Sequence, residues 1–145
     1  MQTAIQKTRF VQIICASGDT VVKQSNCTFE IKKAGGRSVV KPRNGSQLVG
    51  NVYFYLQYAA NIGTANTLDV CFHTATYASI RSVNVFYDGD RRYSKDIIKN
   101  QTFKLLLNET SSSMAVDKEG ICVALGIKFP EKDSELEFHS VSIGF

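Results

Sequence analysis

Apolar and polar residues alternate along much of this chain. In the aromatic segment around Phe54, the side chains of Val52 and Leu56 share one face with Phe54, while Tyr53 and Tyr55 share the other. Because successive side chains of a β-strand point to opposite faces, this period of two predicts a strand with one buried side. The same pattern predicts further strands at 10–15, 27–31, 68–74, 82–87, 102–107, 121–129 and 136–145.

The segment 121–129 is the best candidate for a central strand. Its large apolar residues share one side, and the small residues Cys122, Ala124 and Gly126 share the other. Small side chains in a strand allow another backbone or sheet to approach closely. We therefore expect a close neighbour on that second face.

The alternation slips by one residue near the C-terminus. Leu136 and Phe138 share one parity, whereas Val141 and Ile143 share the other. One extra residue in a strand, a β-bulge, would return both sets to the same buried face. We therefore expect a bulge near His139.

Turn-forming residues separate the predicted strands. Glycine with Asn, Asp or Ser favours tight turns, and helical spacing of apolar residues occurs only weakly, at 94–100. A one-sided sheet must bury its apolar face against a second layer. The pattern predicts one all-β domain over residues 1–145, a two-sheet antiparallel β-sandwich of about eight or nine strands with Greek-key or jelly-roll connections. The turn signals occur at 17–19, 35–36, 44–46, 88–90 and 129–133.

The chain has four cysteines, Cys15, Cys27, Cys71 and Cys122. None forms a Cys-x-x-Cys pair, which argues against a zinc site. A hairpin centred on Gly18 would bring Cys15 and Cys27 close, whereas Cys71 and Cys122 would meet only through the fold. Two interpretations stay open: four buried thiols that act as small hydrophobic residues, or disulfide bonds.

Charge and hydropathy argue against several classes of partner. The net charge is +4, but Lys and Arg are scattered among acids and form no basic stripe, so we expect no nucleic-acid partner.

No apolar run reaches the roughly 18 to 20 residues that span a bilayer, so we expect no transmembrane segment. Residues 1–9 lack the apolar centre of a secretory signal. We expect a soluble protein of unknown compartment, secreted or at the cell surface if the sequence is a mature chain.

Residues suited to catalysis are sparse. Neither His73 nor His139 is spaced with an acid or a nucleophile, so we expect no enzymatic activity and no cofactor. The motif Asp88-Gly89-Asp90 carries two carboxylates, but calcium takes six or more oxygen ligands, so we expect no metal site there. We interpret the motif as a hairpin turn whose charge Arg91 and Arg92 neutralise.

Tyrosines on the strands are the best candidates for a binding surface. Aromatic side chains provide a large apolar platform with a polar edge, although tyrosine is also common on half-exposed sheet faces and tryptophan is absent. Tyr77 is a further tyrosine that would suit such a platform. The candidate ligand-binding residues are Tyr53, Tyr55, Tyr87, Asp88, Asp90, Arg91 and Tyr93.

Three segments of the chain share a recognisable arrangement. They are an aromatic-rich strand at 51–54, a strand ending in Asp-Gly at 80–89 and a Gly-led strand at 120–129, followed by the closing segment 137–145. Over about residues 50–145 the chain resembles a family of small, mostly microbial β-sandwich domains of unknown function. The resemblance implies the sandwich fold and assigns no catalytic residue.

Two functions from different classes fit these observations. The first is a non-catalytic binding or adhesion module, lectin-like, that recognises a protein or carbohydrate partner through loops or a tyrosine-bearing sheet face. The second is a structural subunit that assembles into a homo-oligomer or filament through strand edges or flat faces. We favour the first, and we also expect a homo-oligomer.

Overall fold

Extended backbone dominates the computed structural model, which describes residues 13–25, 27, 29–43, 47–57, 63–87, 89–107, 115–116 and 120–145. Within these ranges a single-turn 3-10 helix (Gly18–Thr20) accompanies the strands, and no helix is long and apolar enough to cross a membrane. The strands are β1 (Ile13–Ser17), β2 (Val22–Lys23), β3 (Phe29–Ala34), β4 (Arg37–Pro42), β5 (Val49–Leu56), β6 (Gly63–Thr64), β7 (Thr67–His73), β8 (Ser79–Tyr87), β9 (Asp90–Lys99), β10 (Phe103–Leu106), β11 (Ala115–Val116), β12 (Ile121–Lys128) and β13 (Leu136–Gly144).

The strands form two main antiparallel sheets. One has six strands, in the order β10-β7-β13-β4-β3, with β1 paired to the second half of β13. The other has five strands, in the order β2-β5-β12-β8-β9, and β6 pairs with β11 in a separate ribbon. The predicted two-sheet antiparallel sandwich is confirmed, with more strands than the eight or nine expected.

The order of the strands is that of a jelly roll. Strands β4, β7, β10 and β13 belong to the six-stranded sheet, and β5, β8, β9 and β12 belong to the five-stranded sheet. From β4 onward the chain therefore crosses between these sheets at each step except the β8–β9 hairpin. As a result β4 pairs with β13 and β5 pairs with β12, which is the nested pairing of a jelly roll.

Aromatic residues join the two sheets in the core. The ring of Phe54 on β5 meets the ring of Phe138 on β13 edge to face, with centroids 5.1 Å apart. Phe29 and Phe129 form a second pair of the same geometry at 5.1 Å. Since buried side chains from both sheets belong to one cluster, each sheet buries its apolar face against the other.

The C-terminal strand contains the predicted β-bulge. The pairing of β13 with β7 shifts between Phe138 and Ser140, so that His139 is the extra residue. Leu136 and Phe138 before the shift, and Val141 and Ile143 after it, are all buried. The bulge prediction is confirmed.

Two long strands were missed because their apolar signal is weak. Strand β9 lies at a sheet edge and buries only Tyr93, so it shows no run of alternating apolar residues. The helix weakly indicated by the spacing at 94–100 is wrong, since residues 94–99 belong to this strand. Strand β4 turns Ser38 into the core, and this buried polar residue interrupts its alternation.

All four cysteines are free thiols in this structure, which contains no disulfide bond among them. Cys27 is buried, whereas Cys15 is exposed and Cys71 and Cys122 are half-buried. The interpretation that all four thiols are buried is therefore wrong. Cys15 and Cys71 lie on the outer face of the six-stranded sheet with β13 between their strands. Cys122 belongs to the other sheet. Thiols on separate faces and non-adjacent strands cannot approach to bonding distance.

Candidate functional site

The outer face of the five-stranded sheet carries two of the predicted tyrosines. Tyr53 and Tyr55 on β5 flank the buried Phe54 and therefore point away from the core. Tyr55 is 60% exposed and Tyr53 is half-buried. Side chains two residues apart along a strand are about 6.8 Å from each other, so the two rings form one aromatic row along β5.

Small residues occupy the middle of this face. Strand β12 lies between β5 and β8, and its outward side chains are those of Cys122, Ala124 and the glycine Gly126. Because neighbouring strands are about 4.8 Å apart, the backbones of β5 and β8 lie about 10 Å apart on either side of this low row. We call the resulting surface the tyrosine furrow. Its cross-strand rows are Tyr55–Cys122–Phe86, Tyr53–Ala124–Asn84 and Asn51–Gly126–Ser82.

The glycine in the third row leaves room for side chains of the neighbouring strands. A Cβ at Gly126 would collide with Oγ of Ser82 and lie 3.2 Å from Oδ1 of Asn51. Oγ of Ser82 therefore lies where a side chain at this position would project. The small residues of β12 were expected to admit another backbone or sheet on this side, but the described neighbours of Gly126 are side chains from the two adjacent strands of the same sheet.

Amide groups border the furrow. Nδ2 of Asn51 donates to Oε1 of Gln24 at 3.4 Å, at the β2 edge. On the opposite wall, Oδ1 of Asn84 is buried and accepts no hydrogen bond from the residues that the structure describes. Buried acceptors are nearly always bonded, so this oxygen has unused capacity. A ligand reaches this oxygen only if the side chain rotates, and the terminal bond of Asn rotates over a broad range.

The thiol on the furrow floor is uncharged. Burial raises the pKa of Cys122, and a hydrogen bond with Tyr55 offsets part of that rise. The neighbouring Cys122 is the largest cause that raises the pKa of Tyr55, and burial is the second. Both groups are therefore neutral near pH 7. Since the thiolate is the reactive form of cysteine, the floor presents a small apolar group and no nucleophile.

Two of the predicted ligand-binding tyrosines lie in the core. Tyr87 is 5% exposed and Tyr93 is 3% exposed. Tyr87 shares the inward parity of Val85, and the pairing of β8 with β9 places Tyr93 directly opposite Val85. The expectation that these two rings face a ligand does not fit their burial.

The β8–β9 hairpin supplies one charged residue to the face of the furrow. Asp88 lies outside the described residues, and Gly89 has a φ of +86°, as a tight hairpin turn requires. Asp90 is exposed and pairs with Tyr87, which faces inward. Arg91 is exposed and pairs with Phe86, so it lies on the same outer face as the furrow.

Tyr77 lies apart from the furrow, in the loop between β7 and β8. It is 79% exposed and has a φ of 60°, which is uncommon for a residue other than glycine. Hydrogen bonds hold the loop, since Oγ1 of Thr74 and Oγ1 of Thr76 donate to the carbonyl oxygen of Glu135 at 2.8 and 3.2 Å. The structure therefore joins Tyr53, Tyr55 and Arg91 on one face and leaves Tyr77 elsewhere.

Sequence reasoning missed half of the furrow. Asn84 and Phe86 have the same outward parity as Ser82, which alternation alone could have identified. Their position opposite the tyrosines depends on both strands pairing with β12, and no local signal shows that pairing. Cys122 and Ala124 were recognised as small residues but not as the floor of a site.

No family model and no curated protein matches this chain. Among solved structures, the Gap123 glycosylation-associated protein complex from Streptococcus agalactiae is similar at 9% identity and a TM-score of 0.54, over 91% of this chain and 44% of that chain. A family 35 carbohydrate-binding module from Clostridium thermocellum is similar at 9% identity and a TM-score of 0.50, over 91% and 97%. TmCBM61, in complex with beta-1,4-galactotriose, has 11% identity and a TM-score of 0.48, over 88% and 90%. At these identities the likeness shows the β-sandwich fold alone.

Proposed function

We propose that this protein is a non-catalytic, lectin-like domain that binds an oligosaccharide in the tyrosine furrow. The observation that carries the proposal is the composition of the furrow. Aromatic rings stand on both sides of a floor of small residues, with Tyr53 and Tyr55 on one wall and Phe86 on the other. The sandwich fold shared with the family 35 module supports the same class of function.

The furrow has the two kinds of group that a sugar needs. A sugar ring has apolar faces of C–H groups, which stack on aromatic rings, and a rim of hydroxyls, which form hydrogen bonds. Tyr53, Tyr55 and Phe86 provide the stacking surfaces. Asn51 and Asn84 provide amide groups at the rim, and the unused acceptor of Asn84 suits a sugar hydroxyl as donor.

The chemistry of the furrow supports binding without catalysis. Glycoside hydrolysis generally takes a pair of carboxylic acids that flank the scissile bond. The described residues in the three rows of the furrow include no Asp, Glu or His, and the thiol of Cys122 is neutral. Both histidines lie on the other sheet, where Nε2 of His139 is 2.8 Å from Oε1 of Glu137.

The alternative of a self-assembling structural subunit receives no support from the described residues or from the similar structures. Homo-oligomer formation stays a prediction. Size-exclusion chromatography with light scattering tests it, and a monomer at all concentrations would contradict it.

The furrow is tested by calorimetric titration with a panel of neutral and acidic hexasaccharides. Replacing Tyr53 or Tyr55 with Ala removes a stacking surface, and we expect at least a tenfold loss of affinity, equivalent to about 1.4 kcal/mol. Tyr77→Ala is the matched control, because Tyr77 is also exposed but lies outside the furrow. Equal binding by all three variants, or no binding of any saccharide by the folded protein, would refute the proposal.

A further inference from the structure

Basic residues are distributed along the tyrosine furrow. Arg91 on β9 lies opposite Phe86, at the end of the furrow marked by Cys122. Arg81 lies at the irregularity of β8 next to Ser82, beside Gly126. At about 3.4 Å per residue, the row of Ser82 is about 14 Å along the furrow from that of Arg91, and Arg81 is one residue further, at about 14–17 Å.

A third cation stands at the far end of the same face. Lys128 is exposed and closes β12 with the outward parity of Gly126. It lies about 20 Å along the strand from Cys122. The described acid on this face is Asp96, which pairs with Ser82 on the β9 edge. The cations are therefore spread over the length of the furrow with one acid beside them.

These cations differ from those of the opposite sheet in their partners. On the six-stranded sheet, Arg37 lies 3.6 Å from Glu137 and Lys104 lies 3.9 Å from Asp69, across neighbouring strands. Within the described part of the chain, Arg81, Arg91 and Lys128 form no ion pair. The positive charge beside the furrow is thus available to a ligand.

Arginine suits one kind of ligand group in particular. Its planar guanidinium forms paired hydrogen bonds with carboxylate and with other planar or tetrahedral oxyanions. The backbone of Arg91 is about 5 Å from that of Phe86, so its long side chain reaches a sugar stacked on that ring. A sugar stacked on Phe86 would place an acidic substituent within reach of the Arg91 guanidinium.

We propose that the ligand of the tyrosine furrow is an oligosaccharide with repeated negative charges, carried as carboxylates or as sulfate esters. This inference rests on the proposed function and adds the class of sugar. Arg91 and Arg81 bind acidic groups about 14–17 Å apart, and Lys128 attracts the chain at its far end. Stacking on Tyr53 and Tyr55 holds the rings between them.

The test compares three hexasaccharides by calorimetric titration: an oligogalacturonate, a sulfated galactan fragment and a neutral galactan fragment. We expect an acidic hexasaccharide to bind at least tenfold more tightly than the neutral one, with affinity that falls as sodium chloride is raised. Tighter binding of the oligogalacturonate identifies carboxylate as the preferred group, and tighter binding of the sulfated fragment identifies sulfate.

Charge-neutralising variants then locate the contact. We expect Arg91→Gln and Arg81→Gln each to weaken binding of the acidic hexasaccharide several-fold and to leave neutral binding unchanged, while Lys104→Gln on the opposite sheet changes neither. Tighter binding of the neutral fragment, or unchanged acidic binding in both arginine variants, overturns the inference and leaves the proposed function standing. Acidic binding that survives loss of Tyr53 and Tyr55 overturns both, as does the absence of any binding.

Discussion

The two outer faces of the sandwich differ in how their side chains find partners. On the six-stranded sheet, Glu137 has both Arg37 and His139 within ion-pair distance, and Asp69 has Lys104. We call this the paired face. On the five-stranded sheet, the tyrosine furrow presents aromatic rings and the unused acceptor of Asn84, and Arg81, Arg91 and Lys128 beside it form no ion pair within the described residues. Paired charges need no ligand, whereas unpaired cations gain from binding an anion.

The central strand of each sheet produces this difference. The outward residues of β13 on the paired face include Glu137 and His139, which fill the middle of the sheet. The outward residues of β12 are small, so its neighbours rise above it as walls. Side-chain size on one strand therefore decides whether an antiparallel sheet has a flat surface or a furrow.

The largest effect on stability is expected from a substitution in the core that both sheets share. Phe138 contacts Phe54 and Phe72, with ring centroids 5.1 and 6.4 Å away. Phe138→Ala would leave a cavity between the sheets and lower the free energy of unfolding by about 3–5 kcal/mol. Urea denaturation measures the loss. Ile98→Ala, at a side chain that is 72% exposed, should change it by less than about 0.5 kcal/mol. Comparable losses in the two variants would show that the core does not join the sheets as described.

The next effect separates the two faces. Ala124 is 6% exposed, so Ala124→Leu would displace the side chains of Tyr53 and Asn84 on either side of it, and we expect at least a tenfold loss of oligosaccharide affinity, about 1.4 kcal/mol. Ser142→Leu makes the matched change on the central strand of the paired face and should leave affinity unchanged. Calorimetric titration compares the two variants, and equal affinities would place the binding surface outside the furrow.

Breaking the pairs on the paired face should have a smaller effect. Glu137→Gln removes the acid shared by Arg37 and His139, all of which are partly exposed. Exposed ion pairs contribute about 0.2–1 kcal/mol, so we expect a loss of stability within that range that shrinks as salt is raised. Urea denaturation at low and high ionic strength measures it. Weaker oligosaccharide binding in this variant would contradict the separation of the two faces.

The smallest effect concerns the pH dependence of stability near the furrow floor. The folded pKa of Cys122 lies above the ordinary value of 9.0, so the unfolded thiol loses its proton first as pH rises. Stability is therefore full below pH 9 and declines as pH rises through the folded pKa. Urea denaturation between pH 7 and 10 should show a steeper decline for the wild type than for Cys122→Ala. Parallel curves would mean that the thiol is not buried in the folded state.

Local alternation was sufficient to predict the sandwich. Strands such as β5 and β12 were predicted because each has one fully apolar side, and the bulge at His139 was predicted because a slip in parity must be corrected if both sets are buried. Strand β9 was not predicted because it is an edge strand that buries only Tyr93, so its sequence shows no alternation of apolar residues.

The amino-acid sequence by itself determined which side of each strong strand faces the core, and thus that Tyr53 and Tyr55 face outward. Only the tertiary structure decided what stands beside them. Phe86 and Arg91 reach the same face because β8 pairs with β12 and β9 pairs with β8. Backbone hydrogen bonds between strands do not depend on side-chain identity, so strand order and register follow from how the whole core packs.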